Sequence, residues 1–448
     1  MKNVNLLDGN IFKGLTKLAL PIMGTSFLQM AYNLVDLFWL GRLSPDAVAA
    51  AGTAGFFMWF GMAFLLLAKI GAEVYVAKNI GAKDYKEARH VAETALQLII
   101  SLGIIYSLIL YFYNKHMIGF FDIQDKVVVQ MGRDYLKIIA IGIPFAFLNP
   151  VFTAIYNGYG DSKTPFKVNA IALVINIILD PILIFKLGFG IKGAALATSL
   201  AQFIGTIIFI KFLLIDKDIF KKLNIFKKLK FKKIKKIISV GLPISIKSGL
   251  FTFIAMIITR LIADWGPIPI AVQKVGSQIE SLSWRTSEGF ATATSTFMAQ
   301  NLGAKKLDRV KEVFKKAIFL MFIVGSFASI IFVVFPKEIM SIFFKQENVL
   351  KEGVIYLRIL GFSQVFMAIE ITTGGAFKGL SKTSYPSFIS ILGNAIRIPM
   401  AYFLSSTSIL GLSGIWWSIS ISSMIKGTVS LSIFLFLIYK KNILKNDI

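Results

Sequence analysis

Long apolar stretches bounded by glycine, proline or charge recur from Leu15 almost to the C-terminus. Crossing a hydrocarbon core about 30 Å thick takes roughly 20 apolar residues as a helix, which satisfies its own backbone hydrogen bonds in lipid. On that length the pattern predicts helices near Leu15–Leu40, Ala47–Ala77, Val91–Tyr113, Tyr135–Tyr156, Phe166–Phe185 and Ile191–Leu214. After a polar interval it predicts Ile237–Ile262, Ile270–Ala299, Val313–Phe335, Val354–Phe377, Phe388–Leu404 and Gly414–Tyr439. The expected fold is an all-α polytopic membrane protein of 12 transmembrane helices. Met1 to Gly14 holds only a short apolar run and no small-residue cleavage pattern, so no cleaved signal peptide is expected.

The two sets of six repeat each other. Leu20-Pro21 returns as Leu242-Pro243, and Asn79-Ile80-Gly81-Ala82-Lys83 as Asn301-Leu302-Gly303-Ala304-Lys305, both 222 residues further on. Gly158 with Pro165 returns as Gly379 with Pro386, and Gly190 with Gly193 as Gly411 with Gly414, both 221 further on. Four matches in one order point to an internal duplication. Each repeat holds an even number of helices, so both start on the same side of the membrane. Two six-helix lobes related by a pseudo-twofold axis along the membrane normal, with a central cleft, are expected. The domain reading is 1–214 for the N-terminal lobe, 215–236 for a basic linker and 237–448 for the C-terminal lobe.

Composition supports the membrane reading. The 448 residues are 56% hydrophobic and 16% charged, and a mean hydropathy of +0.70 lies outside the soluble range. A net charge of +25 would point to nucleic acid in a soluble protein, but here lysine and arginine sit at helix ends. The densest block, Ile215 to Lys236, has ten lysines interleaved with Phe220, Phe226 and Phe231, and reads as a cytoplasmic linker on anionic headgroups. Alternate connections carry about 30 basic residues against about 12, which predicts a cell-membrane protein with both termini in the cytoplasm. With no cysteine, disulfides and thiolate metal sites are excluded, and the two histidines, His90 and His116, fall at predicted membrane edges.

A carboxylate at mid-bilayer depth costs about 2.5 to 3.5 kcal/mol on insertion scales, so a buried acid is read as functional. Asp36, late in the first helix, and Asp180, late in the fifth, lie at comparable depth in the outer half of the membrane and can share one site. Asn176 stands one turn before Asp180 on the same face. Pro181 frees the carbonyl of Ile177 by lacking an amide hydrogen. Thr198 and Tyr135 add oxygens if the lobe folds as a bundle, and Tyr32 lies one turn before Asp36. The predicted cation site is Asp36, Asn176, Asp180 and Thr198, with Tyr32 and Tyr135 near it. An all-oxygen set of this kind suits Na⁺ or a proton, and no cofactor is called for. The alternatives are a surface pair of Asp36 with Arg42, and ordinary interhelical hydrogen bonding for Asn176 and Thr198. Pro21 is either a bend in the first helix or a simple helix-start proline.

The second half differs. The repeat partners of Asp36 and Asp180 are Ile258 and Ala401, and its acids and arginines lie elsewhere, as Glu280, Arg285, Glu288, Glu370 and Arg397. Salt bridging within the lobe is the preferred reading, with Arg285 and Glu288 three apart on one face. Phe38, Trp39, Phe56, Phe57, Trp59 and Phe60 either face lipid or line a cleft that stacks on organic cations.

Gly160-Asp161-Ser162-Lys163-Thr164-Pro165, the two Asn-x-Gly-Ala-Lys segments and Gly241-Leu242-Pro243-Ile244 together resemble the multidrug and toxin extrusion family over nearly the whole chain. Asp36, Asn176, Asp180 and Thr198 are similar to the N-lobe cation site of its DinF-like and archaeal branch. Members similar to the NorM branch carry an acid on the seventh helix, where this chain has only Lys247 among apolar and small residues. The resemblance implies a cation-coupled antiporter that exports small organic compounds, and a monomer in the lipid bilayer is expected. A lipid-linked oligosaccharide flippase of the same superfamily is the alternative, and it would call for more cleft arginines than Arg285 and Arg397.

Overall fold

The computed structural model describes residues 5–121, 123, 125–215, 223–224, 231–406 and 408–440. Its regular structure is helical, as expected. The first half forms α1 (Ile11–Leu43), α2 (Pro45–Gly81), α3 (Tyr85–Gly119), α4 (Lys126–Tyr159), α5 (Lys163–Pro181) and α6 (Ile191–Ile215). The second forms α7 (Phe231–Ala263), α8 (Pro267–Gly303), α9 (Leu307–Val334), α10 (Pro336–Ser341), α11 (Glu347–Gly361), α12 (Gln364–Gly379), α13 (Ser384–Ala395), α14 (Arg397–Leu404) and α15 (Leu412–Leu435).

Among the described residues ten helical spans are long and apolar enough to cross a membrane, and the bent pair α11–α12, turned by 48°, makes an eleventh. The twelfth predicted span is α8. It runs for 37 residues, but Glu280, Arg285, Glu288 and a run of serines and threonines keep it too polar to qualify on composition. Chain breaks within the spans have local causes. Pro399 has no amide to offer Ala395, and the helix divides there into α13 and α14. Pro181 ends α5, and one π turn, Ile182–Lys186, follows it.

Backbone geometry carries the duplication. The left-handed residues Lys83 (φ 58°), Gly160 (φ 93°) and Gly190 (φ 54°) of the first half are answered by Lys305 (φ 59°), Ser381 (φ 59°) and Gly411 (φ 58°). The turns around them match too: Asp84 N donates to Asn79 O at 2.9 Å, and Lys306 N to Asn301 O at 2.9 Å. A left-handed lysine is sterically costly, so its presence at both positions reflects a helix-ending turn that the flanking bonds impose.

The chain divides into two compact units, and both boundaries fall inside a helix. Leu20–Ser245 belong to the first, whereas Leu6–Ala19 join Ile246–Ile448 in the second. The division into 1–214 and 237–448 contains no such exchange, whose crossover points lie beside Pro21 in α1 and Pro243 in α7. In the first unit α4 is central, packed closely by α2, α3 and α6. Small residues permit this, since a Cβ on Gly158 of α4 would stand 2.6 Å from the Glu73 carbonyl oxygen. The opening of α7 also packs here: Lys233 pairs with Glu87 at 2.6 Å, and Lys236 lies over the Tyr75 ring at 4.6 Å. These two lysines of the expected headgroup-binding linker are thus held by protein, and α7 starts earlier than the predicted Ile237. The rest of that linker lies largely outside the described residues.

In the second unit α12 is central against α8, α9 and α15. The segment before α1 is bound there: Asn301 Nδ2 donates to Leu6 O at 3.0 Å, and Lys306 pairs with Asp8 at 2.7 Å. Both units carry large exposed apolar side chains such as Phe112, Phe253, Phe327 and Phe388, as lipid contact requires.

Candidate functional site

The π turn after Pro181 is followed by the tight link Phe189–Gly190 into α6. Gly193 of α6 sits on this turn, with a Cβ position only 2.6 Å from the Leu183 carbonyl. That close approach sets Thr198, further along α6, beside the end of α5. Asp161 fixes the other end of α5: its Oδ1 accepts from the amides of Lys163 (3.0 Å) and Thr164 (3.1 Å), and its Oδ2 from Thr164 Oγ1 (2.6 Å).

Within the first unit the predicted residues converge. Thr198 Oγ1 donates to Asp36 Oδ2 at 3.2 Å, and Asn176 Nδ2 to Asp180 Oδ1 at 3.3 Å. Asp36 faces Asp180 and Asn176 directly. Tyr32 OH donates to the Thr198 carbonyl at 3.3 Å, and Tyr135, buried on α4, lies within electrostatic reach of both acids. Asn176 and Asp180 are wholly buried. Arg42 does not pair with Asp36 but stacks on Phe38, 4.7 Å from the ring centroid.

What the site lacks defines its chemistry. Asp36 Oδ1, Asp180 Oδ2 and Asn176 Oδ1 are buried acceptors with no hydrogen-bond donor. Each orphaned polar atom costs about 1 to 3 kcal/mol, and two facing carboxylates repel as well. A monovalent cation or a proton placed among the three oxygens relieves both. The donor set of hard oxygens fits Na⁺ as a transported ion. Among the described residues no group of three or more His, Cys, Asp or Glu could hold a multivalent metal.

The C-terminal half of α1 is tied to α6 by Tyr32 and Asp36, both through Thr198. Occupancy of the site and attachment of α1 are therefore linked.

The second unit holds polar nodes that sequence reasoning identified only in part. Arg285 and Glu288 form no ion pair; Glu288 is exposed, while Arg285 Nε is buried without a partner. Glu370 instead forms a buried salt bridge with Lys426, at 3.0 Å. Lys426 had a signal of its own, as a lysine in the middle of an apolar and serine-rich span. Asn149 was also passed over. Its amide bonds Gln202 Oε1 at 2.8 Å and accepts from Thr206 Oγ1 at 2.8 Å, joining α4 to α6.

Membrane-length helices enclosing a buried acid pair define a polytopic membrane protein. The chain belongs to the MatE family of membrane transporters, whose model matches residues 21–182 and 243–403. The two matched stretches stand in the same offset as the internal repeat. The probable multidrug resistance protein NorM of Thermotoga maritima is 29% identical over 430 residues, covering 95% of this chain and 92% of that one. The probable multidrug resistance protein YoeA of Bacillus subtilis is 27% identical over 425 residues, covering 91% and 90%. A crystal structure of MATE in the bent conformation, 24% identical, superposes with a TM-score of 0.92 over 100% of this chain and 99% of that chain. Family members are membrane transporters, not enzymes.

Proposed function

We propose that the chain is a cation-coupled antiporter of the cell membrane, exporting organic, cationic and amphiphilic compounds by alternating access in exchange for Na⁺ or H⁺. The observation that carries this reading is the set of three buried oxygens on Asp36, Asp180 and Asn176 that lack donors. The names of the relatives in Thermotoga maritima and Bacillus subtilis, both probable multidrug resistance proteins, support the substrate class. Charge asymmetry along the sequence supports termini on the cytoplasmic side.

In this mechanism the cation completes the shell of Asp36, Asn176, Asp180 and Thr198, with Tyr32 and Tyr135 at its edge. Neutralising the acid pair changes how Asp36 and Tyr32 hold α1 on α6, and α1 bends near Pro21, where its residues pass from one unit to the other. Cation and organic substrate then disfavour each other, and the penalty is reciprocal. The departure from the NorM-like branch, no acid on α7 near Lys247, supports placing coupling in the first unit.

Purified protein in proteoliposomes, loaded with ethidium and subjected separately to a Na⁺ or a H⁺ gradient, tests the proposal. One of the two gradients drives dye against its concentration. Transport indifferent to both gradients refutes coupling, and no dye movement with transfer of a lipid-linked sugar instead refutes the export reading.

A further inference from the structure

The second unit buries acids of its own and completes their shells from within. Glu370 on α12 lies between α13 and α15. Its Oε2 is 3.0 Å from Lys426 Nζ, and its Oε1 accepts from Ser390 Oγ at 2.6 Å. The pair is withdrawn from solvent, with side chains 12% and 8% exposed. Glu280 on α8 accepts from Gln364 Nε2 at 3.2 Å. Arg397, at the start of α14, donates Nε to Ser422 at 2.8 Å and Nη2 to Ser423 at 3.4 Å. Arg397 and Lys426 are both within Coulombic reach of Glu280 and Glu370, and Lys247 is within Coulombic reach of Glu370 as well. Room for the lysine stem is provided by Gly393 on α13, where a Cβ would stand 2.3 Å from Lys426 Cγ.

The contrast with the first unit is chemical. There, three acceptor oxygens have no donor; here, both oxygens of Glu370 have one, and one donor is an ammonium. A lysine head is a compact monovalent cation on a tether, while an arginine in the same place would spread its charge over a fork. We infer that Lys426 is a built-in counter-cation: it fills, within the second unit, a position that would otherwise take a free monovalent cation, and so leaves the transporter with one exchangeable cation site. The count of exchangeable sites rests on the assignment of the Asp36–Asp180 site, whereas the role of Lys426 does not.

The consequence is that removing the ammonium uncovers a cation site at Glu370. Equilibrium binding of radiolabelled sodium and of methylammonium to the full-length chain in detergent reads this directly. In an Asp36→Asn background, Lys426→Ala gains one saturable site per chain for one of these cations. Adding Glu370→Gln abolishes the gain, and Lys426→Arg, which retains a tethered charge, produces none. A bridge that only held helices together would alter the melting point but would not create saturable, Glu370-dependent uptake. A folded Lys426→Ala chain that binds no more of either cation than its parent overturns the inference. A second measurement needs no lysine variant: Glu370→Gln in the otherwise unaltered chain leaves sodium binding unchanged. Loss of bound sodium there would mean that Glu370 already holds a free cation beside Lys426, which also overturns it. Failure of the first-site assignment is distinct, for it appears as dye efflux whose half-saturating concentration of the driving cation is indifferent to Asp36→Asn.

Discussion

Replacing Asp180 with asparagine separates a coupling site from a structural one, because the two roles move stability and cation affinity in opposite senses. Asp180 Oδ2 and Asp36 Oδ1 are buried without donors, and the two carboxylates face each other. An amide at position 180 keeps the shape, removes the like charge and brings an N–H that can serve one of the orphaned oxygens. Each such oxygen costs about 1 to 3 kcal/mol while unserved, so the cation-free protein should melt no lower than the parent. Cation binding suffers instead. A monovalent ion about 4 Å from a carboxylate is held by about 4 kcal/mol at an effective dielectric near 20. At about 1.4 kcal/mol per tenfold, loss of one of the two charges weakens binding roughly a thousandfold. The assay is the concentration of the driving cation that half-saturates dye efflux in proteoliposomes, beside thermal unfolding in detergent without that cation. Half-saturation within a few-fold of the parent would refute the reasoning. So would a fall in melting temperature with affinity intact, since that marks the pair as structural.

Other substitutions probe the supports of the site. Thr198→Ala removes the donor to Asp36 Oδ2, a bond to a charged group worth about 1.5 to 3 kcal/mol, and should raise the half-saturating cation concentration at least tenfold, while Thr198→Ser restores it. Gly193→Ala places a methyl 2.6 Å from the Leu183 backbone, which cannot yield as a side chain can. It should cost about 1 to 3 kcal/mol in detergent unfolding and weaken cation dependence by shifting α6 off the π turn. Gly205→Ala, whose nearest neighbour is the Asn149 side chain at 3.2 Å, should be milder in the same measurement. Asp161→Ala removes three hydrogen bonds at the start of α5 and should lower stability by about 1 to 2 kcal/mol, with Asp161→Ser recovering part of the loss.

The fold was legible where local chemistry dictates it. Apolar length marked the spans, and paired glycines and prolines marked their ends, because chain reversal and membrane crossing leave few residue choices. Asp36, Asn176, Asp180 and Thr198 were legible because an acid in an apolar helix has few roles. Less visible was anything that depends on which helix faces which. Lys426 stands out in sequence as a lysine inside an apolar span, but only the packing of α12 against α15 gives it Glu370. The i,i+3 spacing of Arg285 and Glu288 predicted a pair that does not form, since Glu288 turns outward. The exchange of first turns between the two units was also hidden. It depends on tertiary contacts such as Leu6 with Asn301 and Lys233 with Glu87, each far apart in the chain.

The duplication acquires a functional meaning when charge is mapped onto it. Carried through the 221-residue offset, Glu370, Lys426 and Gly393 take the places that Asn149, Gly205 and Ala172 hold in the first half. Those three also meet: a Cβ on Gly205 would lie 3.2 Å from Asn149 Nδ2 and 3.6 Å from the Ala172 methyl. The same node is thus a neutral amide network in one unit and an ion pair in the other. At the second node the sign of the charge changes, for Asn176 corresponds to the buried Arg397. Asp36 and Asp180 in the first unit correspond to Ile258 and Ala401 in the second, which are 2% and 0% exposed and close the core with carbon. A repeated scaffold offers each unit two buried positions for polar groups. The second unit places an ion pair at the first of them and the buried Arg397 at the second, whereas the first unit charges only the second, with two carboxylates that have no counter-ion of their own. On the proposed assignment that difference gives the transporter a direction for its chemistry, since a free cation would bind in one half and lysine would take its place in the other.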